Sequence, residues 1–175
     1  MGDEPVPLPP DRPFDPHQER VHAQLSKLGP GPAAMFEDAC RLMLRPSDLN
    51  LKALTHIIGH LCRETESALR DMIRPLDPAL KKRRAGGSGN GHEDEVVALL
   101  KLLGLDGDAG ATADWLSLVG KLHDMAHRKD LRAPPPPDEQ FHRIWHAFNR
   151  TLSSVLLKLE HRYAGFHARI DDLLK

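Results

Sequence analysis

DEQFHRIWHAFNRTLSSVLLKLEHRYAGFHARIDDL, residues 138–173, decides the fold. Phe141, Trp145, Phe148, Leu152, Val155, Leu159, Tyr163, Phe166, Ile170 and Leu173 follow one another at spacings of four and three. That pattern draws one apolar stripe along an amphipathic helix. Asp138 stands at its start as a helix cap. The stripe holds for about 33 residues, roughly 50 Å of helix. This exceeds what its own bundle should cover, so the distal end is expected to pair with another chain.

Upstream, the same period recurs in shorter pieces. Leu51, Leu54, Ile58, Leu61, Thr65, Leu69 and Met72 form a seam that predicts a long helix from a Ser47-Asp48 cap to Ile73. Pro75 and Pro78 follow it. Helices are also expected over about 17–28, 32–45, 94–104 and 113–129, bounded by Gly29-Pro30, Pro46, an acidic Glu93-Asp94-Glu95 opening and a Thr112 cap. The tract Ala133 to Pro137 is a stiff extended connector. No strand-like alternation with turn pairs is present, so the expected fold is an all-α, antiparallel helical bundle with two long helices.

The 175 residues suit one domain, read as 17–175, behind a disordered Pro-rich arm over 1–16. KKRRAGGSGNGH, residues 81–92, reads as a flexible basic, Gly-rich loop. Its four cations could touch phosphate, although such runs are ordinarily only solvated. The formal charge of −1 excludes a global basic field. Two cysteines, Cys40 and Cys62, make neither a disulfide framework nor a zinc-finger spacing. There is no leader-like start and no apolar run long enough to span a bilayer, so the expectation is a cytoplasmic protein without a membrane partner. P-loop, GxGxxG and nucleophile-elbow patterns are missing, and Ser117, Ser153 and Ser154 lie mid-helix.

Histidine is over-represented, with 11 residues. Six of them form i, i+4 pairs: His56/His60, His123/His127 and His142/His146. Each pair places two imidazoles on one helical face, a geometry suited to a shared metal. Ordinary solvated or hydrogen-bonded surface histidines satisfy the same spacing.

WLSLVGKLHDMAHRKDLRAPPPP, residues 115–137, puts Lys121 five residues before Ala126-His127 and a loop soon after. This resembles the signature of the HEPN superfamily, all-α proteins of prokaryotic toxin and anti-phage systems, whose mark is Arg, four to six residues, then His before a helix break. HIIGHLCRETESALRDMI, residues 56–73, resembles the long first helix of that fold, with Arg63 and Glu64 as mid-helix polar residues. The likeness extends over about residues 48–173. Active members resemble metal-free ribonucleases, in which His and a cation act on the RNA 2′-hydroxyl and the scissile phosphate, usually with two protomers sharing a cleft. The resemblance implies no cofactor, with Lys121 as cation, His127 as acid/base and His123 or Asp124 in support. It also implies RNA, a second copy of the chain, or a protein encoded in the same operon as partner.

Lys121 stands where that pattern has Arg, and Leu122 follows it. Six residues of helix rotate by about 600°, which leaves Lys121 and His127 roughly 120° apart. They serve one site only if the helix ends between them or the cleft forms between protomers. HDMAH, residues 123–127, is also similar to the metal-binding helix of DinB-type bundles. That resemblance implies a divalent transition metal on His123 and His127 with His56 or His60. A third reading makes the chain a non-enzymatic helical interaction module. In the simplest account Leu122, Met125 and Ala126 are core, and Lys121, Asp124 and Arg128 form a solvated face.

Overall fold

Six helices account for most of the described residues in the computed structural model, which describes 14–44, 51–73, 91–105, 109–127 and 134–173. They are α1 (Pro16–Leu28), α2 (Pro30–Leu44), α3 (Leu54–Ile73), α4 (Gly91–Leu102), α5 (Ala109–Ala126) and α6 (Glu139–Leu173). No strand occurs among the described residues, so the architecture is an all-α helical bundle. No helix among them is long and apolar enough to cross a membrane.

Local chemistry sets the helix ends. The Asp15 carboxylate accepts from the backbone N–H groups of His17 and Gln18 at 2.8 Å, and the Gln18 side chain accepts from the Asp15 N–H at 3.1 Å. This capping box, with Pro16 in the first turn, starts α1. Asp138 caps α6 in the same way, accepting from the Phe141 N–H at 2.7 Å. At the end of α4, Leu105 N–H donates to the Leu100 carbonyl and Gly104 N–H to the Lys101 carbonyl. Gly104 sits at φ 70°, the left-handed conformation that such a termination favours in glycine.

The apolar stripe of α6 is the spine of the core. Phe141, Trp145, Phe148, Leu152, Val155 and Leu159 are buried as the spacing predicts, joined by Ile144 and Leu156. Phe36 of α2 packs against the rings of Trp145 and Phe148, each 6.4 Å away between centroids. Phe14 stacks on Phe36 at 6.2 Å. Residues 14–16, expected in the Pro-rich arm, therefore belong to the folded part; the arm's residues 1–13 lie outside the described residues.

Other boundaries also move. Leu51 is 41% exposed and precedes α3, which begins only at Leu54. Its expected cap, Ser47-Asp48, lies outside the described residues. Gly91 and His92, expected in the basic loop, start α4, and residues 81–90 are not described. Thr112 lies in the first turn of α5 rather than at its cap. The polyproline connector has no regular secondary structure over 134–138, and the Thr55 hydroxyl donates to the Pro135 carbonyl at 2.8 Å, which ties it to the start of α3.

Contact register gives the directions of the helices. Gly59 of α3 faces Met125 of α5, and Glu66 faces Trp115, so these two helices run antiparallel. His17 meets Asn149, and Lys27 and Gln24 meet Glu160, so α1 runs parallel to α6. Two devices hold α3 against α5. One is a buried polar network: Glu66 Oε1 accepts from Arg70 Nε at 2.8 Å and from Trp115 Nε1 at 3.0 Å, and Arg70 Nη1 donates to Glu95 Oε2 of α4 at 2.9 Å. The other is Gly59, where an added Cβ would stand 2.8 Å from Met125 Cβ and 3.2 Å from the Met125 carbonyl carbon.

That geometry predicts opposite outcomes for two helical glycines. Gly59→Ala forces α3 and α5 apart and should cost about 1–3 kcal/mol. Gly120→Ala meets nothing within 4 Å and should stabilise the protein, by about 0.5–1 kcal/mol. Urea unfolding of both variants checks this, and equal effects would contradict the close approach.

Candidate functional site

The contact at Gly59 brings two of the three histidine pairs together. His56 and His60 lie one turn apart on α3, with ring centroids 5.1 Å apart and edge to face. His123 and His127 lie at the end of α5, 4.1 Å apart. Arg63, one turn beyond His60, extends across to His127, its Nη1 standing 3.2 Å from His127 Nε2. His56 Nδ1 lies 3.0 Å from the carbonyl oxygen of Met125. The third pair, His142 and His146, is exposed on α6, and no hydrogen bond or ring contact among the described residues joins it to the other four.

Helix termination explains the placement. α5 ends at Ala126, which leaves its last carbonyls without helical partners. The His127 N–H reaches back to the His123 carbonyl at 3.0 Å, and the His56 ring supplies a donor to Met125. A carbonyl only accepts, so His56 carries its proton on Nδ1. An arginine only donates, so His127 Nε2 is the acceptor and the neutral ring holds its proton on Nδ1.

The cluster is rich in positive and potentially positive groups. His127 is exposed at the helix end, and its pKa lies below the ordinary imidazole value of 6.5. Lost hydration beside α3 is the largest cause, followed by the charges of His123, Arg63, His60 and His56. Glu64 is the acid near Arg63, with a carboxylate oxygen 3.8 Å from the guanidinium, and both groups are partly exposed. Such a pair contributes little to stability.

Among the expected site residues, His123 and His127 meet, and His56 and His60 join them. Lys121 and Asp124 are exposed on α5, and no hydrogen bond or ion pair ties Lys121 to His127 among the described residues. The cation at His127 is instead Arg63. It stands in the sequence as a mid-helix polar residue, and His56, His60 and Arg63 share one helix face at spacings of four and three.

For the metal reading, no group of three or more His, Cys, Asp or Glu among the described residues is arranged to hold an ion. Both His56 Nδ1 and His127 Nε2 already have partners, and a guanidinium beside the rings opposes a second cation. Cys40 and Cys62 are buried, and burial pushes both thiols well above the ordinary range. Neither has the thiolate character of a nucleophile.

Comparison with known proteins adds no relative: no protein-family model matches the chain, and no curated protein or solved structure is significantly similar to it.

Linkage gives the pH behaviour its sign. The folded-state pKa of His127 lies below 6.5, so the unfolded chain binds more protons in the interval between the two values. The stability tied to neutral His127 is present at neutral pH and is lost as the pH falls through that interval. In a proton NMR titration, the His127 ring should titrate with a midpoint below 6.5. Arg63→Gln should raise that midpoint, and an unchanged midpoint would separate Arg63 from this ring.

Proposed function

We propose that this chain is a HEPN-like helical protein of a bacterial defence or toxin-type system that acts on RNA, as a metal-independent endoribonuclease or an RNA-binding relative. The observation that carries the reading is the 3.2 Å contact between Arg63 Nη1 and His127 Nε2. It supplies the combination the chemistry needs: an imidazole that can move a proton near neutral pH, beside a permanent cation. In RNA cleavage the imidazole would act as acid or base on the reacting oxygens, and the guanidinium would stabilise charge gathering on the scissile phosphate.

Arg63 suits the cationic role better than Lys121, because a planar guanidinium binds two phosphate oxygens at once. His123, its ring tilted against that of His127 with centroids 4.1 Å apart, would orient the ring. Asp124 remains a support residue on the same helix end. The exposure of His60, His123 and His127 leaves room for a second copy of the chain, or a partner from the same operon, to complete a cleft.

RNA cleavage assayed in excess chelator tests the reading. Activity should persist with chelator, fall at least about a hundredfold in His127→Ala and in Arg63→Ala, and change little in Lys121→Ala. Activity that requires added transition metal and is lost in His56→Ala would favour the DinB-like metal alternative instead. A folded protein that neither cleaves nor binds RNA, yet co-purifies with a protein from its operon, would leave the interaction-module reading.

A further inference from the structure

The Arg63–His127 contact has a chemical peculiarity. A guanidinium facing a neutral imidazole is a cation donating to a lone pair, and the contact occupies Nε2 but only one of the guanidinium N–H donors. While Nε2 accepts from Arg63 it has no proton to offer an approaching anion. The surrounding groups reinforce this state. The groups that act on His127 among the described residues are His56, His60 and Arg63 from α3 and His123 from its own helix, all cationic or able to become so. Glu64 lies beyond, against the Arg63 guanidinium.

We infer that the Arg63–His127 pair is a proton-coupled site for a phosphodiester oxyanion. An arriving diester takes over the Arg63 guanidinium, and the released His127 Nε2 binds a proton from solvent and donates to the same anion. One N–H bond forms, one hydrogen bond is exchanged for two charge-assisted ones, and no other bond changes. The negative charge of the ligand offsets the lost hydration and the repulsion from His123, Arg63, His60 and His56 that disfavour protonation of the empty site. The choice of a phosphodiester rests on the function proposed above; the coupling rests on the Arg63–His127 geometry.

The coupling has a definite sign. Binding is weakest where both free and bound rings are neutral. It strengthens as the pH falls between the two midpoints, by up to about tenfold per pH unit for one proton, and levels off once the free ring is itself protonated. The Lys121–His127 arrangement of the sequence motif carries no such requirement, since it lacks a cation donating to the ring.

The test uses dimethyl phosphate, a diester with no proton to lose near neutrality, titrated into the full chain and followed by NMR at the backbone amides and the histidine ring protons between about pH 5.5 and 7.5. Wild type should bind more tightly toward acid, with the His127 midpoint raised at saturation. Arg63→Gln should weaken binding throughout. His127→Gln, which keeps a polar side chain but cannot titrate, should retain weak binding with a smaller pH slope than wild type. Unchanged thermal midpoints at neutral pH confirm that both variants are folded. An affinity flat with pH in wild type, or a slope undiminished in His127→Gln, overturns the inference. Proton-coupled binding without RNA cleavage would sustain the inference and sink the ribonuclease. Chelator-resistant cleavage with pH-independent diester binding would do the reverse.

Discussion

A missing side chain at position 59 governs the geometry of this protein. With only hydrogen on its Cα, Gly59 lets α3 approach the backbone of Met125 and Ala126 at the end of α5. Everything distinctive about the histidine cluster follows from that approach. His56, one turn before it, reaches the Met125 carbonyl, and Arg63, one turn after it, reaches His127. A glycine inside a helix costs about 0.5–1 kcal/mol relative to alanine, so the position gives up helix propensity in exchange for the close crossing.

Farther along the same antiparallel contact, the Glu66–Arg70–Glu95 network with Trp115 fixes the second point of the crossing. Buried charges lose hydration and recover it only through well-formed partners. Here Glu66 Oε1 has two donors and Arg70 spans two carboxylates, one of them on α4. The network is a weak source of net stability but a specific one of register: a slip of α5 by one residue would take the Trp115 N–H away from Glu66 and leave that buried carboxylate with Arg70 alone. Two points define a crossing, one steric and one polar. Together they hold the exposed cluster at the α5 terminus, while the α6 stripe and Phe36 belong to an apolar core to which all six helices contribute.

Much of this was legible in the residues. The α6 stripe, its Asp138 cap, the Gly29 break and the proline connector each have a local physical cause, and local causes survive reading without a structure. The misread ends have causes as well. Phe14 looked like arm because prolines surround it, yet its ring finds Phe36 from another helix. Leu51 fits the α3 period but lies before the helix and stays 41% exposed. The pairing of Arg63 with His127 joins positions 64 residues apart, and helical periodicity says which face is apolar without saying which helix lies across from it. Glu66 and Arg70 sit at i, i+4, the spacing of an ordinary surface pair, and only the burial of both reveals their structural role. Gly59 did offer a signal, since glycine in mid-helix asks for a packing reason.

The central claim is that α3 and α5 meet so that Met125 faces His56 and Arg63 faces His127. Ring tautomers report on both contacts at once. Long-range proton–nitrogen NMR correlation of the full chain, above the titration range of the rings, should show His56 and His127 both as Nδ1–H tautomers, against the Nε2–H form that free histidine prefers in water. Both rings in the Nε2–H form would contradict the account.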